Sequence, residues 1–299
     1  MATQKQKKIL LALDGSDRAF ETIRYICQIP PLQQMRVVLF TVFSKIPDTY
    51  WDMERQPNLS KRLGDVRAWE RKKQMSIKEY MKDARKKLMD GGFSRNAVTV
   101  KIQERKEGIS RDIINEAKSG YDAVAIGRKG MSKLKELVLG SVASRLLEKL
   151  EFVPLFVVGR CQPPMKILLA LDSSDASART VDYVGATLSD CDCDVTLTHV
   201  VRGEERETVE EATKKIGPVF NMAKNHLIHS GFNPSRIDTK IITGVLSRAG
   251  ALVHEAEDEG YCTIVVGRKG MSKVSDFLIG RVSNKVVQLG GEKVVWVVS

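Results

Sequence analysis

Two glycine-rich segments of the chain have the composition of an anion-binding loop. In the first, Gly127, Gly130 and Gly140 follow a short apolar run, and Ser141 opens a helical pattern. Glycines let a backbone approach a ligand closely with its amides turned toward it. The N–H groups at a helix N-terminus favour phosphate, and Ser141 adds a hydroxyl as donor or cap. The segment predicts a phosphate site, although a loop that needs glycine for turns and serine as an ordinary N-cap has the same composition.

The second segment repeats this spacing with one change. Gly267, Gly270 and Gly280 keep their places, but Arg281 stands where the first segment has Ser141. Arginine at a helix N-terminus opposes the helix dipole and offers no small hydroxyl. Its guanidinium could instead grip a phosphate, or it could fill the site and block it. We expect the second site to be blocked, weakened or altered in its ligand.

The glycine-rich segments belong to a duplication of the whole chain. Residues 8–14 read KILLALD, and residues 166–172 repeat these letters, so Asp14 and Asp172 end matching apolar runs. The first motif recurs after 158 residues and the glycine-rich segment after 140, so a duplication with a length change of 18 residues in one half explains both repeats. We therefore predict two domains, a first half at residues 1–160 and a second half at residues 165–299. A short linker with two prolines joins them.

Each half alternates short apolar runs with helical patterns. In the first half we expect strands at residues 9–13, 37–43, 98–102, 123–126 and 155–158, and helices near 17–29, 62–90, 109–119 and 141–150. In the second half we expect strands near residues 166–171, 194–201, 238–243, 263–266 and 294–298, and helices near 176–189, 208–229, 247–258 and 281–288. This order predicts an α/β fold with a five-stranded parallel sheet in each half. Residues 45–64 are polar and are interpreted as a loop or lid.

In such sheets, ligands bind beyond the carboxyl ends of the strands, where the strand order reverses. The first strand of the first half ends near Asp14 and the fourth ends near Gly127. These two positions are therefore predicted to form the rim of one crevice.

Composition limits the partners. The net charge is +11, and the excess lies mainly between residues 61 and 111, where it could attract nucleic acid, anionic lipid or a nucleotide. We favour a solvated helix face, because no aromatic residues interleave with the charges as stacking platforms.

No run approaches the roughly 20 apolar residues of a membrane helix, and no signal peptide is evident. Five scattered cysteines predict reduced thiols, so we expect a cytoplasmic protein without a membrane span.

Taken together, these segments resemble the universal stress protein family, with two such domains in tandem. The likeness is carried by the strand ending in Asp14, by the glycine spacing that ends at Ser141, and by the closing run at residues 153–158. It implies Rossmann-like domains of the adenine nucleotide alpha hydrolase type that bind ATP and act in the stress response. In this family the last strand pairs across a dimer interface. The resemblance therefore implies that the two closing strands pair within one chain as a pseudo-twofold pair, alone or in a homo-oligomer.

The resemblance also implies roles for particular residues. Asp14 would lie near the ribose and could hold Mg²⁺ or Mn²⁺, and the backbone at Val42 would meet the adenine. The remaining site positions of the first half would hold phosphates: Gly127, Gly130, Gly140, Ser141 and the amide of Val142. Arg128, Lys129 and Lys133 either add charge at the mouth or are exposed loop cations. The matching positions of the second half are Asp172, Val200, Gly267, Gly270, Gly280 and Arg281.

The sequence favours binding over catalysis and leaves a weak ATPase, self-phosphorylation at Ser141 or another phosphotransfer activity as the less favoured alternatives. ATP hydrolysis needs a group that positions water, usually with a metal, and the first half contains no histidine. We expect binding of an adenine nucleotide with at most slow hydrolysis, and an unidentified protein partner that responds to it. The alternative is a nucleotide-independent interaction protein that uses the basic face of the first half. Nucleic acid is not an expected partner.

Overall fold

The computed structural model describes residues 6–45, 60–128, 139–160, 165–189, 191–203, 206–270 and 278–299. The first half contains the strands β1 (Lys8–Ala12), β2 (Arg36–Phe43), β3 (Val98–Glu104), β4 (Ala123–Gly127) and β5 (Leu155–Val158). Its helices are α1 (Ala19–Cys27), α2 (Pro30–Gln33), α3 (Ser60–Asp90), α4 (Ile109–Ala117) and α5 (Ser141–Lys149). Helix α2 was not predicted, because four residues are too few to show a helical period.

The second half repeats this order. Its strands are β6 (Lys166–Ala170), β7 (Asp194–Arg202), β8 (Ile237–Val245), β9 (Thr263–Gly267) and β10 (Val294–Val298). Its helices are α6 (Asp175–Thr187), α7 (Arg206–His229), α8 (Arg248–Asp258) and α9 (Arg281–Leu289). The predicted elements are present in both halves, with bounds that differ by a few residues. Of the predicted loop or lid, residues 46–59 lie outside the described residues and residues 60–64 belong to α3.

The ten strands of the described residues form one sheet in the order β3-β2-β1-β4-β5-β10-β9-β6-β7-β8. Paired strands within each half are parallel, whereas β5 and β10 pair antiparallel and join the halves. The predicted α/β fold, the tandem arrangement and the pseudo-twofold pairing of the closing strands are confirmed.

The strand order places the carboxyl ends of β1 and β4 side by side. β1 pairs with β2 on one side and with β4 on the other, so the order of the strands along the chain reverses there. In the second half β6 occupies the same position between β7 and β9. Each half therefore has a crevice position at which a doubly wound sheet binds its ligand.

The join between β5 and β10 is the most apolar part of the sheet. Phe156 lies opposite Trp296 in the strand register, and their rings stack with centroids 4.0 Å apart and planes 5° apart. Tyr183 packs edge-on against both rings, at 6.3 Å and 6.1 Å. Phe156 and Trp296 are fully buried. Because strand side chains alternate between faces, both faces of the sheet carry an apolar cluster, and each cluster contains residues of both halves.

The structure bears on the expected absence of a membrane span and on the expected state of the cysteines. Among the described residues, no helix combines the length and the apolar character that crossing a bilayer requires. Cys262 is disulfide-bonded, whereas Cys27, Cys191 and Cys193 are free thiols. The expectation of reduced thiols is therefore wrong for Cys262, since the spacing of cysteines along a chain does not reveal which of them meet in the fold.

We predict that Trp296→Ala lowers the free energy of unfolding by about 3–5 kcal/mol, because it opens a cavity at the join of the halves. Urea unfolding followed by circular dichroism measures the change. Trp69→Ala is the matched control, because Trp69 on α3 is 56% exposed and its loss should cost no more than about 0.5 kcal/mol. Similar losses for the two variants would show that the β5–β10 contact contributes little stability.

Candidate functional site

The carboxylate after the first strand of each half is held by nearby donors. Asp14 Oδ1 accepts hydrogen bonds from the Ser16 amide at 3.0 Å and from the Ser16 hydroxyl at 2.6 Å. Asp172 Oδ1 accepts from the Ser174 amide at 3.0 Å and from the Ser177 hydroxyl at 2.8 Å. These bonds fix each carboxylate just beyond its strand, as the repeated sequence predicts.

Helix α3 supports the loop that carries Asp14. The Tyr80 hydroxyl donates to the Ser16 carbonyl at 3.1 Å, and the Tyr80 ring packs on Phe20 with centroids 4.7 Å apart. Burial, together with the charges of Asp14 and Asp17, raises the pKa of the Tyr80 hydroxyl, so it remains a protonated donor. Sequence reasoning missed Tyr80, because a single tyrosine in a long charged helix forms no motif.

In the second half, the glycine-rich segment lies directly against the carboxylate. A Cβ atom at Gly270 would stand 2.5 Å from Asp172 Oδ2, so only glycine fits there without a shift of the carboxylate. A Cβ atom at Gly267 would stand 3.2 Å from both Ala176 Cβ and Thr180 Oγ1 on α6. A side chain at either glycine would thus require its neighbours to shift, and the structure brings Asp172 and Gly270 together.

The described residues of the first half have the same backbone arrangement around the glycine-rich segment. Gly127 ends β4 beside β5, and the Gly140 amide donates to the Arg128 carbonyl at 2.9 Å, which closes the base of the loop. The equivalent bond in the second half runs from the Gly280 amide to the Arg268 carbonyl at 2.7 Å. Gly130 lies outside the described residues, as do Lys129 and Lys133.

The helix that follows each loop begins without a side-chain cap. Gly140 is the N-cap of α5 and Gly280 is the N-cap of α9, both with extended backbone and without a capping side-chain hydrogen bond. Ser141 is therefore the first helical residue, and the interpretation of its hydroxyl as an ordinary N-cap is wrong. Without a side-chain acceptor, the first N–H groups of α5 and α9 suit an anionic ligand.

Arg128 does not face the site. Its guanidinium reaches the end of helix α9, donating through Nη1 to the Val287 carbonyl and through Nη2 to the Lys293 carbonyl at 3.5 Å. Arg128 is 7% exposed, and this desolvation lowers its pKa to about 10. The expectation of a mouth residue or an exposed loop cation is therefore wrong, because tertiary contacts with the other half bury the side chain.

Arg268 makes the reciprocal contact. It donates through Nη1 to the Leu147 carbonyl at 2.7 Å and through Nη2 to the Leu150 carbonyl, at the end of α5. It is also buried, and desolvation lowers its pKa to about 10. Cations at helix C-termini complement the helix dipole and its last carbonyls. Each glycine-rich segment is thus bonded to the last helix of the opposite half.

A cavity of about 770 Å³ opens at the carboxyl ends of β6, β7 and β9. It is lined by Asp172, Val200, Gly267, Gly270, Gly280 and Arg281, which are the site positions predicted for the second half. Arg281 lies on the wall of this cavity and does not close it, whereas weakened binding or an altered ligand in the second half stays a prediction. A volume of this size is within the range of small-molecule sites.

Further cavity residues were not singled out from the sequence. They include Ser177, which holds Asp172, and the cations Arg202, Lys215, Arg248 and Lys269. A residue-by-residue comparison of charged positions between the two halves, in addition to the shared motifs, would have identified them.

In the first half, Val42 and Val142 are half-buried against the apolar cluster on their face of the sheet.

Within the ranges that the structure describes, no group of three or more His, Cys, Asp or Glu side chains is arranged to hold a metal ion. Two of the four histidines instead lie near aspartates, His226 Nε2 at 3.3 Å from Asp182 and His254 Nε2 at 3.1 Å from Asp258.

Comparisons of the sequence and of the structure with known proteins all match one family. The family model described as the universal stress protein family matches residues 5–158 and again residues 164–297. A universal stress protein of Mycolicibacterium smegmatis is 26% identical over 222 residues, which cover 70% of this chain and 72% of that protein. Universal stress protein YxiE of Bacillus subtilis is 28% identical over 142 residues, 42% of this chain and 92% of YxiE. A crystal structure of a universal stress protein from Archaeoglobus fulgidus aligns over 99% of both chains with a TM-score of 0.66 and 18% identity, which shows a shared fold.

We predict that Arg128→Ala lowers the free energy of unfolding by about 2 kcal/mol, because buried carbonyls at the end of α9 lose a charged donor. Arg145→Ala is the control, since Arg145 is an exposed arginine on α5, and its loss should change stability by no more than about 0.5 kcal/mol. Urea unfolding of the full chain measures both variants. An Arg128→Ala variant as stable as Arg145→Ala would contradict a stabilising role for the contact between halves.

Proposed function

The chain belongs to the universal stress protein family, and on that premise we propose that it is an adenine-nucleotide-binding regulatory protein of the stress response, with ATP held mainly by its first half. The observation that carries the proposal is the cavity of about 770 Å³ in the second half. Because the halves share one frame, the equivalent position beyond β1 and β4 is the natural ligand crevice of the first half.

In this proposal the phosphates of ATP bind at the start of α5. The N–H groups of Ser141 and Val142 and the Ser141 hydroxyl donate to phosphate oxygens, while Gly127, Gly130 and Gly140 allow close approach of the backbone. The support is the N-terminus of α5, which has no side-chain cap and whose N-cap is a glycine. A phosphate would supply the acceptors that these N–H groups lack within the helix.

The nucleoside is assigned to the neighbouring strand ends. Asp14 hydrogen-bonds ribose hydroxyls, and the backbone at Val42 contacts the adenine. The support is position: Asp14 follows β1, Val42 lies near the end of β2, and these strands are paired. Asp14 could also share Mg²⁺ or Mn²⁺ with the phosphates, since magnesium sites commonly combine one or two carboxylates with phosphate oxygens.

We propose binding with at most slow hydrolysis. Rapid hydrolysis requires a group that orients the attacking water, and the first half has no histidine to act as a general base. The role of the nucleotide would then be regulatory, with its presence altering a surface that a protein partner recognises.

Paired variants test where ATP binds. We expect Gly130→Glu to lower the affinity for ATP at least about tenfold in excess Mg²⁺, because a carboxylate next to phosphate is strongly unfavourable. Gly270→Glu, the matched change in the second half, should leave this Mg²⁺-dependent affinity unchanged. Isothermal titration calorimetry on the full chain measures both. Equal losses from the two variants would contradict the assignment of ATP mainly to the first half.

A second test separates this proposal from the basic-face alternative. We expect freshly purified protein to release an adenine nucleotide on denaturation, detected by mass spectrometry, and the Gly130→Glu variant to release less. Bound phosphates lose little to screening when they are enclosed by the protein. Protein that retains no nucleotide, yet binds a polyanion with a steep salt dependence, would instead support the interaction protein.

A further inference from the structure

The cavity of the second half has a strongly cationic wall. Among the described residues that line it, the cations are Arg202, Lys215, Arg248, Lys269 and Arg281. The only carboxylates among these lining residues are Asp172 and Glu211. The cations come from different elements, namely the end of β7, helices α7, α8 and α9, and the glycine-rich segment. Their convergence on one cavity indicates a ligand with high negative charge.

At three of these positions the first half has an uncharged residue. Strand registers align β2 with β7, which places Ser44 at the position of Arg202. The duplicated glycine segments place Ser141 at the position of Arg281. Helices α4 and α8 follow the third strand of their halves and pack through equivalent apolar residues. Aligning the two helices on these residues places Ile109 at the position of Arg248. Three arginines of the second half thus replace two serines and an isoleucine.

The other two cations do not account for the difference. Lys215 forms an ion pair with Glu211 one helical turn away, which balances its charge locally. Lys269 has a lysine counterpart, Lys129, in the first half. Arg202, Arg248 and Arg281 are therefore the arginines that the second half carries at positions where the first half has uncharged residues. Arg248 is further positioned by a hydrogen bond from its Nε to the Val200 carbonyl at 3.2 Å, at the carboxyl end of β7.

The cavity also offers an apolar region for a nucleoside. Val200, Leu252, Val266 and Ile279 contribute to its wall. His199 lines it too, and its Nδ1 donates to the Leu171 carbonyl at 2.8 Å, which fixes the ring. A wall that is apolar in one region and cationic in another matches a molecule with a base and a polyphosphate chain.

We propose that the second half binds a nucleoside triphosphate free of divalent metal, with arginines neutralising the phosphate charge that a metal ion neutralises in the first half. The proposal rests on the function proposed above. Metal ions bridge phosphate oxygens and offset their charge, and guanidinium groups do the same through paired hydrogen bonds. The wall carries five cations against two carboxylates, Asp172 and Glu211, and Glu211 is paired with Lys215. A divalent cation would therefore meet a wall of net positive charge, so the metal complex is the disfavoured ligand.

The experiment uses the full-length Gly130→Glu variant, in which only the second half should retain a site. Its ATP affinity is measured by isothermal titration calorimetry, once with EDTA and once with excess Mg²⁺. We expect ATP binding in EDTA and at least about tenfold weaker binding in Mg²⁺. The matched variant Gly270→Glu, which retains the first half, should show no such loss in Mg²⁺.

A second pair of variants tests the arginine directly. In the Gly130→Glu background, Arg281→Ser restores the residue of the first half and should weaken ATP binding in EDTA about tenfold or more, because a charged hydrogen-bond donor is lost. Arg179→Ser is the control, since Arg179 is exposed on α6 and does not line the cavity. Circular dichroism and urea unfolding establish that each variant is folded.

The outcomes separate this inference from the function on which it rests. If the second half binds no ATP, or binds it equally with and without Mg²⁺, while Gly270→Glu still binds Mg²⁺-ATP, the inference is overturned and the proposed function remains. If Arg281→Ser binds as well as Arg179→Ser, the role of the arginine is overturned. If the wild-type chain binds ATP under neither condition, the proposed function itself fails.

Discussion

The antiparallel pairing of β5 with β10 is the contact on which the rest of the structure depends. Both strands are apolar and fully buried, and either one left at a sheet edge would promote aggregation. Pairing them removes both edges and stacks Phe156 on Trp296 at 4.0 Å. It also fixes the twofold relation of the halves, which brings the glycine-rich segment of each against the last helix of the other.

Arg128 and Arg268 show the consequence for the candidate sites. The backbone of Arg128 closes the base of its loop through the Gly140 amide, while its side chain is buried at the end of α9. A buried guanidinium loses its hydration, and helix-end carbonyls compensate only where the geometry is held in place. The loop of each half is therefore anchored in the opposite half, so the two candidate sites are parts of one assembly.

The halves have kept this frame while the walls of their sites have diverged. A Cβ atom at Gly270 would stand 2.5 Å from Asp172 Oδ2, so a side chain there would have to displace this carboxylate. Arg202, Arg248 and Arg281 are exposed, and exposed positions change residue type at little cost in stability. The duplicated halves therefore share the architecture of the sheet while the residue types at these three positions differ.

The sequence alone determined the duplicated α/β fold, because short apolar strands, helical stripes and repeated glycine motifs are local patterns that survive without tertiary information. It also located Gly127 and Gly267 at strand ends, and Asp14 and Asp172 just beyond strand ends. Only the tertiary structure decided where the Arg128 and Arg268 side chains lie, that Cys262 is disulfide-bonded, that Gly140 and not Ser141 caps α5, and that Arg281 borders an open cavity. The N-cap is decided by the local backbone conformation at Gly140. The other three features depend on contacts between residues far apart in the chain, and a linear pattern does not show which distant residues come into contact.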